Sequence, residues 1–208
     1  MAFTKENFLA FLEAASELMN ENKQYLCDLD AALGDGDLGL TMSLGFNEAL
    51  AFAKGSSESD LGKLAAQTGM TMSKKAPSSM GTLVASGFMG AGKAVKGKSE
   101  LSDEEAAVFF NGFTDGVCNR GKAFVGDRTI VDAIKPASDA FAAAVKVGKS
   151  LHEAAALASD AADKGAESTK DLLGKFGRAV YYGDKVLGSP DQGAVAGALI
   201  FKALAKSL

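Results

Sequence analysis

The chain has 208 residues, of which 47% are hydrophobic and 23% charged, and its formal net charge is −4. That is enough for one large domain or two small ones with a sizeable core. It argues against a membrane-spanning protein, because no apolar run approaches the roughly 20 residues of a span, and against nucleic acid as a partner, because no basic stripe is present. The two cysteines, Cys27 and Cys118, make neither a metal-ligand spacing nor a disulfide framework. The segment MAFTKENFLAFLEAA lacks the basic head, apolar centre and cleavage site of a secretory signal, so a cytoplasmic location is the expectation.

Helical periodicity dominates, and strictly alternating runs of β-branched or aromatic residues are nearly absent. The expected class is all-α. Phe3, Phe8, Leu9, Phe11, Leu12, Leu18 and Met19 form one stripe and predict a first helix over 3–27. A second follows over 38–54, a third over 59–75 and a fourth over 81–97. The fifth, over 102–120, opens on a capping box in which Ser102 and Glu105 stand three apart. The sixth, over 128–148, opens at Asp127-Arg128, and the seventh runs over 150–172 with His152 as a surface residue near its start. The eighth, over 189–207, opens on Ser189-Pro190-Asp191-Gln192, with Pro190 at the first helical position. Gly55, Gly97 and Gly148 mark the ends of the second, fourth and sixth helices.

The connections fall into two groups. Those after the even-numbered helices, GSSES, GKSEL and GKS, are short and plain. Those after the odd-numbered helices are different. The first three read DLDAALGDGD, KKAPSSMG and GKAFVGDR; the fourth is a long loop from Gly174 to Gly193 that holds Arg178 and ends YYGDKVLGSPDQG. Consecutive helices with short loops pack antiparallel, and helices of ~17–20 residues hold their ends roughly 26–30 Å apart. An up-down arrangement therefore gathers residues 30–37, 77–80, 121–128 and 174–191 on one rim. Phe109, Phe110, Phe113, Phe124 and Phe141 are expected in the interior, either as packed core or lining a lipid cavity.

Two pattern matches fail on context. Gly34-Asp-Gly36-Asp-Leu-Gly39 fits a dinucleotide signature, but no strand precedes it and its variable positions hold carboxylates. Gly87-Phe-Met-Gly-Ala-Gly92-Lys93 fits most of a P-loop, but Ala94 stands where magnesium needs a hydroxyl; these glycines suit close helix packing instead. Asp30, Asp35 and Asp37 are the stronger signal. Three carboxylates on a glycine-rich bend suit a hard cation such as magnesium, whose shell substrate phosphates complete. The same residues also form ordinary solvated turns. Ser78 and Ser79 precede the fourth helix, either as caps or beside a phosphate at the free N–H groups. Asp127 is a possible cap for the sixth helix. Arg128 is electrostatically misplaced at a helix N-terminus, which points to a partner outside that helix.

Four strings carry a family resemblance: LDAALGDGDLGLTM, APSSMGTL, GKAFVGDRTIVDAIKPA, and YYGDKVLGSPDQGAVAGAL with Arg178 shortly before it. With them the whole chain, as a single domain, resembles the nucleotide-binding L subunit of dihydroxyacetone kinases. The resemblance implies an eight-helix antiparallel up-down barrel with Mg-nucleotide at one rim. Asp30, Asp35 and Asp37 would hold two magnesium ions. Leu38, Gly39, Leu40 and Thr41, with Ser79 and Met80, would line the phosphates and nucleotide; Gly121, Ile130, Arg178 and Asp191 would complete the pocket. Arg178 would also stabilise the transferring charge. The family usually carries His where Leu38 stands, a departure that leaves the ketose open, a tetrose included.

The expected function is that of a kinase subunit presenting Mg-bound ADP or ATP to a separate K-type subunit that holds the sugar. The donor is either ATP or a phosphotransferase-system phosphoprotein that recharges bound ADP, and a homodimer is also left open. The alternatives are a nucleotide-dependent regulatory module that binds a transcription regulator, and a metal-dependent phosphohydrolase, for which no water-activating base is evident.

Overall fold

The computed structural model describes residues 2–208. Nine α-helices are present among them: α1 (Lys5–Glu21), α2 (Lys23–Ala31), α3 (Leu38–Gly55), α4 (Leu61–Lys75), α5 (Ser79–Ala94), α6 (Asp103–Gly121), α7 (Val131–Lys146), α8 (Leu151–Ser168) and α9 (Gln192–Ser207). Two 3-10 stretches, Thr169–Asp171 and Arg178–Val186, lie between α8 and α9. There is no strand among the described residues, only an isolated bridge between Phe3 and Leu101. No helix is long and apolar enough to cross a membrane.

The ninth helix arises because the predicted first helix is broken. Asn22 leaves helical geometry (φ −96°, ψ 8°), and its side-chain amide donates to the Leu18 carbonyl at 2.8 Å. The same carbonyl also accepts the Asn22 backbone N–H at 3.0 Å, so one residue meets it twice where the helix axis breaks. The α1–α2 pair thus fills one place in a ring of eight. Contacts run α1, α3, α4, α5, α6, α7, α8, α9, and the ring closes where α9 packs on α1.

Aromatic rings fill the interior. Phe3, Phe8, Phe11, Phe46, Phe88, Phe109, Phe110, Phe113, Phe141 and Phe201 are all buried and meet in tilted or edge-to-face pairs 5.2–6.4 Å apart. These are favoured quadrupolar geometries, and six ring helices contribute to them. The centre is packed core. Phe124 is the correction: it is 73% exposed, out on the rim loop after α6.

Backbone approach sets the wall between α5 and α6. A Cβ on Gly90 would collide with the Gly112 carbonyl oxygen, and one on Gly116 with that of Ser86. The glycines of the P-loop-like string therefore serve helix packing. The Ser102–Glu105 capping box is present, with further boxes at Thr4–Asn7 and Ser150–Glu153.

Candidate functional site

The bend between α2 and α3 is built around Asp30. Its buried carboxylate accepts from the N–H groups of Asp37 (3.0 Å) and Leu38 (3.3 Å), capping α3 from outside that helix. A Cβ on Gly34 would lie 2.5 Å from Asp30 Oδ1, so the chain can fold this tightly only with glycine there. Asp37 occupies the N-cap position but makes no capping bond, which frees its carboxylate. Asp30, Asp35 and Asp37 each bring one oxygen to within 4.8 Å of the other two. Burial, then repulsion from Asp35 and Asp30, raises the Asp37 carboxyl above its ordinary range, against the pull of Arg178. An all-oxygen set of crowded carboxylates fits a hard divalent cation.

The N-terminus of α3 offers amides beside this cluster, and that of α5 is linked to it through Met80, which lies against Gly193, next to Gln192 and its bond to Asp30. Asp30 takes the Leu38 N–H and the Asp37 carbonyl takes that of Thr41, leaving Gly39 and Leu40 as the open donors of α3. In α5, Ser78 caps Gly81 N–H at 3.0 Å and leaves Ser79 and Met80 open. Such donors with the helix dipole make an anion site. Leu38 itself is buried, with its own N–H already spent.

The distant loops do converge. Arg178 pairs with Asp35 at 2.8 Å, and Gln192 donates to Asp30 Oδ1 at 3.3 Å. Gly193 sits where an added Cβ would meet Met80 at 2.7 Å, Asp191 at 3.0 Å and the Ile130 amide at 3.4 Å. Gly121 is within reach of Leu83 in the same way, at 3.2 Å. Beside the start of α5 lies a cleft of about 770 Å³ lined by Ser73, Pro77, Ser78, Ser79, Thr82, Leu83 and Arg120.

Several starts differ from the sequence reading. α9 begins at Gln192 and is capped by Asp191, which accepts from Ala194 N–H at 2.8 Å. Ser189 stays outside the helix because its carbonyl is taken by Arg128 at 3.0 Å. Burial pushes the Asp191 carboxyl up to about 6, although the Ala194 amide and the Arg128 guanidinium oppose that rise. α7 begins only at Val131, since Arg128 holds a left-handed backbone (φ 59°). Asp127 is accordingly not its cap; it accepts from Phe124 N–H (2.8 Å) and from Lys175 (2.7 Å). The Lys175 ammonium, then the Phe124 amide, hold its carboxyl below the usual range. Asp132 folds this turn, accepting from Gly126 and Thr129 N–H at 2.6 and 2.7 Å. Sequence reasoning missed the contact of Gln192 with Asp30. Its signal was confined to adjacency: Gln192 follows Asp191 on a loop already placed at the rim.

Comparison with known proteins agrees with this architecture. The DAK2 domain model matches residues 32–206. The chain is 34% identical over 205 residues to the ADP-binding subunit DhaL of PEP-dependent dihydroxyacetone kinase 1 from Listeria innocua, covering 98% of this chain and 97% of that protein. It is 29% identical to the corresponding Escherichia coli subunit, covering 99% and 98%. It is also 33% identical to an L-erythrulose 1-kinase of Mycolicibacterium smegmatis, covering 97% of this chain but 35% of that protein. Among solved structures, the native dihydroxyacetone kinase of C. freundii superposes with a TM-score of 0.76 at 27% identity, covering 99% of this chain and 36% of that one. The same kinase in complex with AMP-PNP and Mg2+ superposes with a TM-score of 0.72 at 28% identity, covering 96% of this chain and 33% of that one. With the barrel, the acidic bend and the converging rim loops in agreement, the chain belongs to the DAK2 domain family.

Proposed function

We propose that this chain is the nucleotide-carrying subunit of a two-component kinase for a small ketose. The observation that carries the reading is the meeting of three carboxylates, Arg178 and the open amides of α3 and α5 at one mouth. Asp30, Asp35 and Asp37 would hold two magnesium ions, which neutralise phosphate charge when bound. The amides of Gly39, Leu40, Ser79 and Met80 donate to phosphate oxygens. Arg178 exchanges Asp35 for the terminal phosphate and steadies the charge that develops in transfer. Thr41, Gly121, Ile130 and Asp191 complete the pocket wall, and Leu38 supports it from below.

Every group here binds or neutralises phosphate, and none is placed as a base for a sugar hydroxyl. The sugar and its activation belong to a K-type partner subunit. Phe124, Val125, Phe176, Val180 and Tyr181 are all exposed on the rim loops, an apolar collar suited to that partner. The chain matches the stand-alone DhaL subunits nearly end to end. That supports bound ADP recharged by a phosphotransferase-system phosphoprotein over freely exchanging ATP. The substrate class is dihydroxyacetone or a tetrulose, since kinases of both kinds are among the relatives. A role confined to binding a transcription regulator gains no support from relatives named as kinases and kinase subunits.

The test is magnesium-dependent binding of ADP and ATP by calorimetry, with and without Asp35→Ala. The expected result is loss of nucleotide affinity in the variant and on chelation of magnesium, with helical circular dichroism unchanged. Equal affinity in both proteins would sink the reading. Purified protein that releases ADP on denaturation supports the phosphotransferase donor; nucleotide-free protein with ready ATP exchange supports ATP.

A further inference from the structure

Arg128 is the cation that the sequence placed awkwardly at the start of a helix. It is 1% exposed, among the largest fully buried side chains of the protein. Its guanidinium donates to the carbonyl of Thr169 and, at 3.0 Å, to that of Ser189. Those two carbonyls are the feet of the arch 170–188, the segment that carries Arg178. The feet are stitched together by Gly188 N–H to the Lys170 carbonyl (2.9 Å) and Asp191 N–H to the Thr169 hydroxyl (2.8 Å). The neighbouring Asp127 grips the arch once more: its carboxylate accepts from the Lys175 ammonium (2.7 Å) and its carbonyl from the Lys175 N–H (3.2 Å). Three residues on, Arg178 crosses to Asp35.

We infer that Arg128 is a positioning residue that fixes both feet of this arch and so holds Arg178 over the nucleotide mouth. The residue type carries the argument. The backbone at φ 59° suits glycine and is costly for a side chain. The Nε atom is buried without a partner. Both penalties are offset by a planar fork that spans two carbonyls, which a lysine ammonium cannot match. Loosening the feet leaves Arg178 to wander in solvent, and nucleotide leaves faster. The inference rests on the proposed meeting of Arg178 with phosphate.

The test measures Mg·ADP affinity and dissociation for wild type, R178A, R128K, R128G and the double variant R128G/R178A, together with tryptic cleavage at Lys170, Lys175 and Lys185. We expect R178A and R128G each to weaken Mg·ADP by about tenfold, as loss of a charged hydrogen bond does. R128K falls between wild type and R128G. Cleavage within 170–188 accelerates in both Arg128 variants. The double variant binds within about twofold of the weaker single variant, because the two residues act as one unit. A merely structural role would lower the melting temperature and give additive losses. Wild-type affinity and cleavage in R128K and R128G, or additivity in the double variant, overturns the inference. Should R128G fail to fold, R128K decides alone by the same two readouts. Normal affinity in R178A would instead overturn the role of Arg178 itself.

Discussion

Asp191 shows how one carboxyl serves structure while resisting ionisation. It caps α9, yet burial lifts it from an ordinary 3.8 to about 6. Below the lower value both folded and unfolded chains hold the proton. Between the two values the folded chain keeps a proton that the unfolded chain has lost, so this group's contribution to stability falls as pH rises and levels off above the upper value. Asp191→Asn keeps a capping side chain and removes the titration. The melting temperature of the variant minus that of wild type is therefore expected to climb across this window and then flatten; a flat difference throughout would contradict the assignment. Residue-scale features were unevenly legible. Asp30, Asp35 and Asp37 stood out because glycines surround them. That Asp30 spends one oxygen on capping α3 was not visible, because the capped amides lie seven and eight residues away.

At the scale of helices, the seam between α5 and α6 depends on absent side chains. Gly116→Ala must push the Ser86 carbonyl aside, and overpacking of this kind costs about 1–3 kcal/mol. Gly55, at the last position of α3, has nothing within 4 Å of an added Cβ. Gly55→Ala is expected to be neutral or to stabilise by up to about 1 kcal/mol. Urea unfolding of the two variants measures the contrast, and comparable losses would refute it. The eight helical segments were read correctly from periodicity, whereas the division of the first into α1 and α2 and some boundaries were not. The first helix breaks at a single residue, Asn22, whose backbone leaves helical geometry, and periodicity does not register one such residue. The cap of α9 moved from Ser189 to Asp191 because a guanidinium from another loop claims the Ser189 carbonyl. Local capping rules cannot see a competitor 61 residues away.

The whole molecule presents its proposed phosphate-binding groups and its exposed rim aromatics, Phe124, Phe176 and Tyr181, at the same end. The isolated chain is expected to bind Mg-nucleotide but to phosphorylate no ketose until a K-type subunit is added. Substitution of the exposed Tyr181 or Phe124 by Ser should lower kcat/KM in the reconstituted pair and leave Mg·ADP affinity within about twofold, since neither side chain carries charge to the phosphates. Ketose phosphorylation by the chain alone would contradict the split arrangement. The convergence of four loops was legible because up-down topology leaves few alternatives. The aromatic interior was legible in part: Phe109, Phe110, Phe113 and Phe141 lie in core-facing register, while Phe124 follows the end of α6 and escapes that register.

The ring has its seam between α1 and α9, the most sequence-distant pair of helices in the fold. During synthesis the growing chain therefore carries an open apolar edge until α9 leaves the ribosome. Gln192 and Asp191 arrive with that helix, so the proposed nucleotide mouth and the closed wall are completed together. A nascent chain stalled before α9 emerges would have neither, and would remain a client for chaperones.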